Sequence, residues 1–454
     1  MSKSFLHIIK LSCGSGSNYF NSLKAFYNNS IELHEIIFSF IDENIDKHKI
    51  QGKKVLIKPN WVMHSLKPYD ELCLRTNNNF TISVLDTILK FKPFQVVIGD
   101  APIQGCNWDK MISVTFKNQI NKLSDDYQIP VYIKDFRRRV YRIAENSPKD
   151  DLKPSSDYVV FDIGRNSLLE PITESGKNKF RVTNYNPERM LLAHAPGIHK
   201  YCIVKELFNA DIVFSLPKIK THQKTGITGA LKNLVGLNGD KDFLPHHRIG
   251  GTGFGGDCYP GNSYLRYWSE LALDRANRNQ GKIEYWFWQK ISSLLWNFSF
   301  PGLEHNLTAG WHGNDTAWRM VLDLNKIIEF GKPNGTISSK SQRQIYSICD
   351  GIVGGQGDGP LNPEPLPLGI ISITNNSLVN DKAMAILMNF PLIKIPLLCY
   401  PYSFEQDKDI KITLNNTRIS LEDLKKYAVI TKPPKGWINH FNEMIINETS
   451  NSPY

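Results

Sequence analysis

DIVFSLPKIKTHQKTGITGALKNLVG, residues 211–236, runs from an unbroken apolar stretch through Pro217 into a segment holding Lys218, Lys220, Lys224, Lys232 and His222 among small and hydroxyl residues. A short apolar run closed by a turn signal reads as a strand buried on both faces. The strand ends at Leu216, where Pro217 stops it. Thr225 or Thr228 can then cap a helix whose apolar positions Leu231, Leu234 and Val235 keep 3.6-residue spacing until Gly236 ends it. Strand, loop and helix in that order are the unit of a parallel α/β sheet, and such sheets collect ligands beyond the carboxyl ends of their strands.

The same alternation extends outward. Strand patterns stand at 54–62 (KVLIKPNWV), 95–102 (QVVIGDAP), 129–136 (IPVYIKDF) and 158–164 (YVVFDIG), with helical patterns at about 80–91, 107–122 and 200–210 (KYCIVKELFNA). After the motif come a helix at 314–330 with Asn314 or Asp315 as N-cap, the strands IYSICDGIVGG and LGIISIT, and a helix near NDKAMAILMNF. The expected fold is α/β and Rossmann-like, with a mostly parallel sheet, flanking helices and a large aromatic and Gly-rich insertion. The expected divisions are 1–236 and 313–435 as two parts of one core, 237–312 as an insertion or lid, and 436–454 as a tail. The Trp-rich stretch 283–300 (Trp286, Trp288, Trp296) lacks the strongly basic face of an interfacial helix, so packing as core or lid is expected over membrane contact.

Composition narrows the function. With 41% apolar and 22% charged residues over 454, the chain is of ordinary globular type and long enough for a large core. Its net charge of +10 favours anionic partners. FRRRVYR, 136–142, is read as a solvated strand or loop, because no nucleic-acid-binding motif accompanies it. The seven cysteines are dispersed with no C-x-x-C pair, so no iron–sulfur cluster is expected and a reducing, cytoplasmic setting is. The first residues hold too short an apolar stretch for a signal peptide, and no run reaches the ~18 apolar residues of a membrane helix.

Three strand ends offer chemistry: Lys58-Pro59-Asn60, Gly99 to Pro102 with Asp100, and Pro217 to His222. Lys218, Lys220 and Lys224 flank the expected helix start at 225–229, where free N–H groups and the dipole favour an anion and Gly226 and Gly229 admit close approach. His222 is a candidate acid/base and Lys232 an anchor. His246 and His247 form an adjacent pair of which at most one is expected to ligate a divalent metal. Gly357, Asp358 and Gly359 sit in a loop, 354–365, able to cradle phosphate or orient a carboxylate. Asp381 reads as a carboxylate at a helix N-terminus rather than a catalyst. No Walker motif, H-E-x-x-H helix or nucleophile elbow is present.

Taken together, KPNWV, GDAP, LPKIKTHQKTGITGALKNLVG, KDFLPHHRIGG, GNDTAWRMVLDLN, DGIVGGQGDGP and LVNDKAMA resemble the family called domain of unknown function 362, over about 50–400. Some members carry a fused ferredoxin module, which this sequence lacks. The motif is more distantly similar to that of the nickel-pincer lactate racemases. That resemblance implies His222 as proton acid/base, Lys232 as covalent cofactor anchor and His246 or His247 as nickel ligand, while GDAP stands where a second catalytic histidine would be sought. The resulting expectation is a cytosolic, isomerase-like enzyme for an anionic small molecule. A non-catalytic accessory protein for a phosphorylated or lipid-linked ligand, touching a membrane through 283–300, and an iron–sulfur-associated redox partner are the alternatives.

Overall fold

The computed structural model describes residues 4–12, 18–141, 150–175, 179–299, 309–400 and 410–442. Its centre is a 12-stranded mixed sheet. On one side Gln344–Asp358, Ile212–Leu216, Lys54–Pro59, Gln95–Asp100 and Val131–Asp135 follow one another in parallel. On the other, Ile370–Thr374 runs antiparallel between Gln344–Asp358 and Phe5–Lys10, and Lys411–Leu414 continues the sheet beyond.

Helices cover both faces, which is why these strands read as continuous apolar runs. Side chains alternate between two cores. Val55, Ile57, Ile98 and Phe214 pack with helices Ser30–Asn44, Asn78–Lys90 and Val114–Tyr127. Leu56, Val97 and Val213 face the opposite core with Ala317–Phe330 and Ser377–Leu387. The helix Ala317–Phe330 begins after Thr316, which is its N-cap in place of the expected Asn314 or Asp315, although Asn314 Oδ1 does accept from the Ala317 amide at 2.8 Å.

Three further expectations are corrected. Residues 200–210 hold a strand, Ile198–Val204, with only Glu206–Asn209 helical. That strand pairs antiparallel with Tyr158–Asp162 in a small separate sheet, because a short apolar run fits either period and the partner decides. Residues 226–228 do not open a helix. Gly226–Thr228 folds back antiparallel on Lys218–His222, a reversal that Gly226 admits at φ +79°, and the helix is confined to Ala230–Asn233. Thr225 therefore caps nothing; its Oγ1 donates to the Ile227 carbonyl at 3.1 Å. Finally, much of the supposed loop 354–365 is a hairpin, with the end of Gln344–Asp358 paired to Asn362–Leu366.

Between residues 237 and 312 lies an arm of two mutually packed helices, Tyr264–Arg278 and Ile283–Ser299. Trp296 packs edge-on to Tyr259 and under the Arg266 guanidinium, as core packing requires. Trp286 and Phe298, in contrast, are 62% and 67% exposed. Among the described residues no helix is long and apolar enough to cross a membrane.

Candidate anion site

The three strand ends meet. Lys58 Nζ lies 2.8 Å from Asp100 Oδ1, and Lys220 Nζ donates to Asn60 Oδ1 at 3.2 Å. Asn233, from the short helix after the motif, ties them together. Its Oδ1 accepts from Lys58 Nζ and Asn60 Nδ2, each at 3.1 Å, while its Nδ2 donates to Ser215 Oγ at 2.9 Å. Gly236 is required here, since a Cβ would lie 1.8 Å from Asp100 Oδ1 and 2.6 Å from Lys58 Nζ. Asp100 is fully engaged: besides Lys58 it accepts from the Trp61 amide at 2.7 Å and the Ala101 amide at 2.8 Å.

The lysines divide into two kinds. Lys218 has no exposed surface and is neutralised inside the fold, 2.9 Å from Asp350 Oδ2 and 2.9 Å from the Tyr27 hydroxyl. Lys220 is equally buried but faces only neutral oxygens, of Asn60, the Leu74 carbonyl and, at 3.3 Å, the Pro360 carbonyl. Burial, helped by Lys218 and Lys232, pulls its ammonium down to about 7. Lys232 has no hydrogen-bond or ion-pair partner among the described residues. Burial and the neighbouring Lys241, Lys224 and Lys58 bring it to about 7. Lys241 likewise lacks a side-chain partner among the described residues, and burial brings it to about 8.

Two neutral imidazoles border this cluster. Burial and then the Lys232 charge push His222 well below its ordinary value, and the same two influences act on His246. The Lys224 backbone N–H donates to His222 Nδ1 at 3.0 Å, so the ring proton sits on Nε2. His246 Nδ1 lies 2.7 Å from the Leu244 carbonyl and must carry the proton, leaving a lone pair on Nε2. One ring thus offers a donor and the other an acceptor. His247 departs from its neighbour, with Nε2 3.7 Å from Glu270 Oε1.

The backbone elements expected to hold an anion are already occupied. Asp381 accepts from the Ala230 and Leu231 amides at 2.6 and 3.0 Å, so the protein's own carboxylate fills the helix N-terminus. Gly229 makes room for it: a Cβ there would lie 2.1 Å from Asp381 Oδ1. Thr228 is buried with its hydroxyl unpaired. Gly357 and Gly359 do lie against the motif, through Thr221 Oγ1 to the Gly357 carbonyl at 2.8 Å and the Gln223 amide to the Gly359 carbonyl at 2.9 Å. Their amides, however, donate to the Lys432 and Gly357 carbonyls, and Asp358 Oδ1 accepts from the Lys435 amide at 3.1 Å. The site is therefore made of side chains. Lys241 and Asn233 escaped sequence reading because a lysine in a Gly-Asp loop and an asparagine in a helix carry no mark of burial.

No curated protein matches this chain. A crystal structure of a Thermotoga maritima protein is similar at 10% identity and a TM-score of 0.34, covering 79% of this chain and 58% of that one. The chain thus spans little more than half the length of that protein. Residues 165–386, which contain the lysine and histidine motif, the histidine pair and the arm, match the family model described as a domain of unknown function (DUF362), which supports the resemblance read from the sequence.

Proposed function

We propose that the lysine cluster binds a small molecule bearing a phosphate or carboxylate, and that the protein moves a proton at a carbon beside that group, as an isomerase or epimerase does. The observation that carries this reading is the gathering of buried Lys220 and partly buried Lys232 and Lys241 with no carboxylate of their own, while the neighbouring Asp100 is held by Lys58. Uncompensated like charges are costly, and a bound anion removes that cost. His246 Nε2 takes the proton from carbon and the His222 Nε2–H returns one, so the reaction is redox-neutral and needs no oxidant. Lys232 serves as electrostatic anchor and stabilises the enolate-like charge that develops. The absence of a disulfide at the buried Cys73, Cys106, Cys202, Cys258 and Cys349 supports a cytoplasmic setting.

Binding is tested first, by thermal shift with inorganic phosphate, pyrophosphate and small carboxylates at low salt. A rise in Tm that is lost in the Lys232→Met/Lys241→Met double variant supports the site. No rise with any of them, or an equal rise in the double variant, overturns it. Proton transfer is tested by mass spectrometry of bound-class carboxylates in deuterium oxide. Deuterium uptake lost in His222→Ala and His246→Ala, with binding retained, supports the isomerase assignment; uptake indifferent to both removes it.

The exposed Trp286 and Phe298 favour a second reading, in which the ligand is lipid-linked and the arm rests on a membrane surface. Flotation with anionic vesicles that is lost in Trp286→Ser/Phe298→Ser would support it, and no flotation would remove it.

A further inference from the structure

The base of the arm holds a second cluster, chemically unlike the first. His247 lies on the short strand His247–Arg248, which pairs with Phe180–Arg181, Cys258 follows the glycine-rich turn, and Glu270 stands on the helix Tyr264–Arg278. All three are buried, and they offer a ring nitrogen, a sulfur and a carboxylate oxygen within 4.8 Å of one another. We propose that they form a divalent metal site of the zinc class, which fastens the arm to the core.

Several independent observations support it. The Glu270 side chain is oriented by the Gly250 amide, which donates to its Oε2 at 2.8 Å, and the Cys258 thiol hydrogen-bonds to the same carboxylate, so two of the three candidate ligands already meet. Ligating carboxylates are commonly fixed in this way by a backbone donor. His247 turns Nε2 toward Glu270, while its Nδ1, on the other side of the ring, is buried and unpartnered. Unsatisfied buried polar atoms are rare, and each needs an account. A cavity of about 20 Å³, lined by His247 and Glu270 but not by Cys258, lies beside them. That is room for one water-sized occupant.

The spacing distinguishes a shared ion from a missing hydrogen bond. His247 Nε2 and Glu270 Oε1 are 3.7 Å apart, too far for a hydrogen bond. Bonds of about 2.0–2.3 Å at tetrahedral angles place ligand atoms roughly 3.3–3.8 Å from each other. Charge agrees as well: a neutral imidazole, a thiolate and a carboxylate sum to the charge that a divalent cation cancels. Of the two nearby cations, Arg181 is held bidentately by Asp274 at 2.9 Å, and Lys224 is felt by Asp257 as well as by Cys258 and Glu270, so its charge is shared with a carboxylate outside the cluster. A mixed nitrogen, sulfur and oxygen set suits zinc, and three protein ligands leave one position for water. On binding, the Cys258 thiol gives its proton to solvent.

The test uses the full chain, loaded with zinc, desalted and measured by elemental analysis. One zinc per chain is expected, falling at least tenfold in Cys258→Ser and in Glu270→Gln and unchanged in the surface variant Lys432→Ala. Should the cluster variants fail to fold, cobalt loading of the unaltered protein decides, because a thiolate ligand produces an intense near-ultraviolet charge-transfer band. Metal-free protein after loading, full zinc in Cys258→Ser, or bound cobalt without that band each overturns the proposal. The anion site uses other residues, and its own test is read without metal.

Discussion

Lys218 and Lys220 stand two residues apart on one strand, both without exposed surface, yet their surroundings are opposite. Lys218 meets Asp350 and Tyr27, while Lys220 meets only neutral oxygens. The same division separates Lys58, paired with Asp100, from Lys232 and Lys241. A buried ammonium with its own carboxylate is a structural part, whereas one left among other ammoniums stores an electrostatic cost that a ligand can relieve. The difference therefore marks which half of a lysine-rich motif faces chemistry.

The largest effect should come from the paired half. Asp350→Ala strands the Lys218 charge and the Tyr27 hydroxyl, and also removes the acceptor of the Asn77 amide. Breaking one partner of a buried pair costs about 3–5 kcal/mol. Urea denaturation should show that loss, and a change within experimental error would mean that Lys218 is not paired in solution. Next comes Gly229→Ala, whose Cβ would meet the Asp381 carboxylate at 2.1 Å. Overpacking of this kind costs about 1–3 kcal/mol. The same measurement on Asp381→Asn tells whether the loss comes through that carboxylate.

The unpaired half should behave in reverse. Lys232→Met removes a partly buried like charge, so the ligand-free protein should gain about 1 kcal/mol while losing its anion-induced thermal shift, the exchange of function for stability seen at many binding sites. A variant that is destabilised and still binds would erase the distinction between the two halves. Stability and binding should also respond to pH with opposite signs. Lys220 and Lys232 titrate at about 7 and Lys241 at about 8 when folded. Unfolded lysine titrates near 10.4, so between these values the unfolded chain binds more protons. The contribution of these groups to ligand-free stability rises with pH across that window. Anion affinity must fall over the same window, as the ammoniums that attract it discharge. Opposite slopes, read by thermal shift with and without pyrophosphate, are the expected result; parallel slopes would place the anion elsewhere.

Sequence made the sheet legible because strands buried on both faces announce themselves as apolar runs, as at Val55–Ile57 and Val213–Leu216. It also indicated that the three strand ends converge, since parallel strands place their carboxyl ends along one edge. It misjudged the segment just past Lys224. Thr225, Gly226 and Thr228 suit a helix start as well as a hairpin, and only the pairing of Lys220 with Thr228 decides between them. The division of the lysines was invisible for a related reason. Asp350 is 132 positions from Lys218 in the chain, so the sequence holds no local sign that one lysine has a counter-ion and its neighbour does not.

Asp358 supplies the finest test of the comparison. Sequence groups it with the anion site, and the structure does bring its glycine loop against Lys218–His222 through Thr221 and Gln223. Its carboxylate nevertheless turns to Lys435, accepting the backbone amide at 3.1 Å and lying 3.5 Å from Nζ. That lysine is about half exposed, and an ion pair in such a setting contributes about 0–1 kcal/mol. Asp358→Asn should therefore shift Tm little and leave the phosphate response unchanged. A marked gain in anion affinity would instead mean that the carboxylate repels the ligand at close range, and the boundary of the site would then have to be drawn to include the loop. Proximity to the motif alone does not make a residue part of it: what counts is whether its charge is already taken.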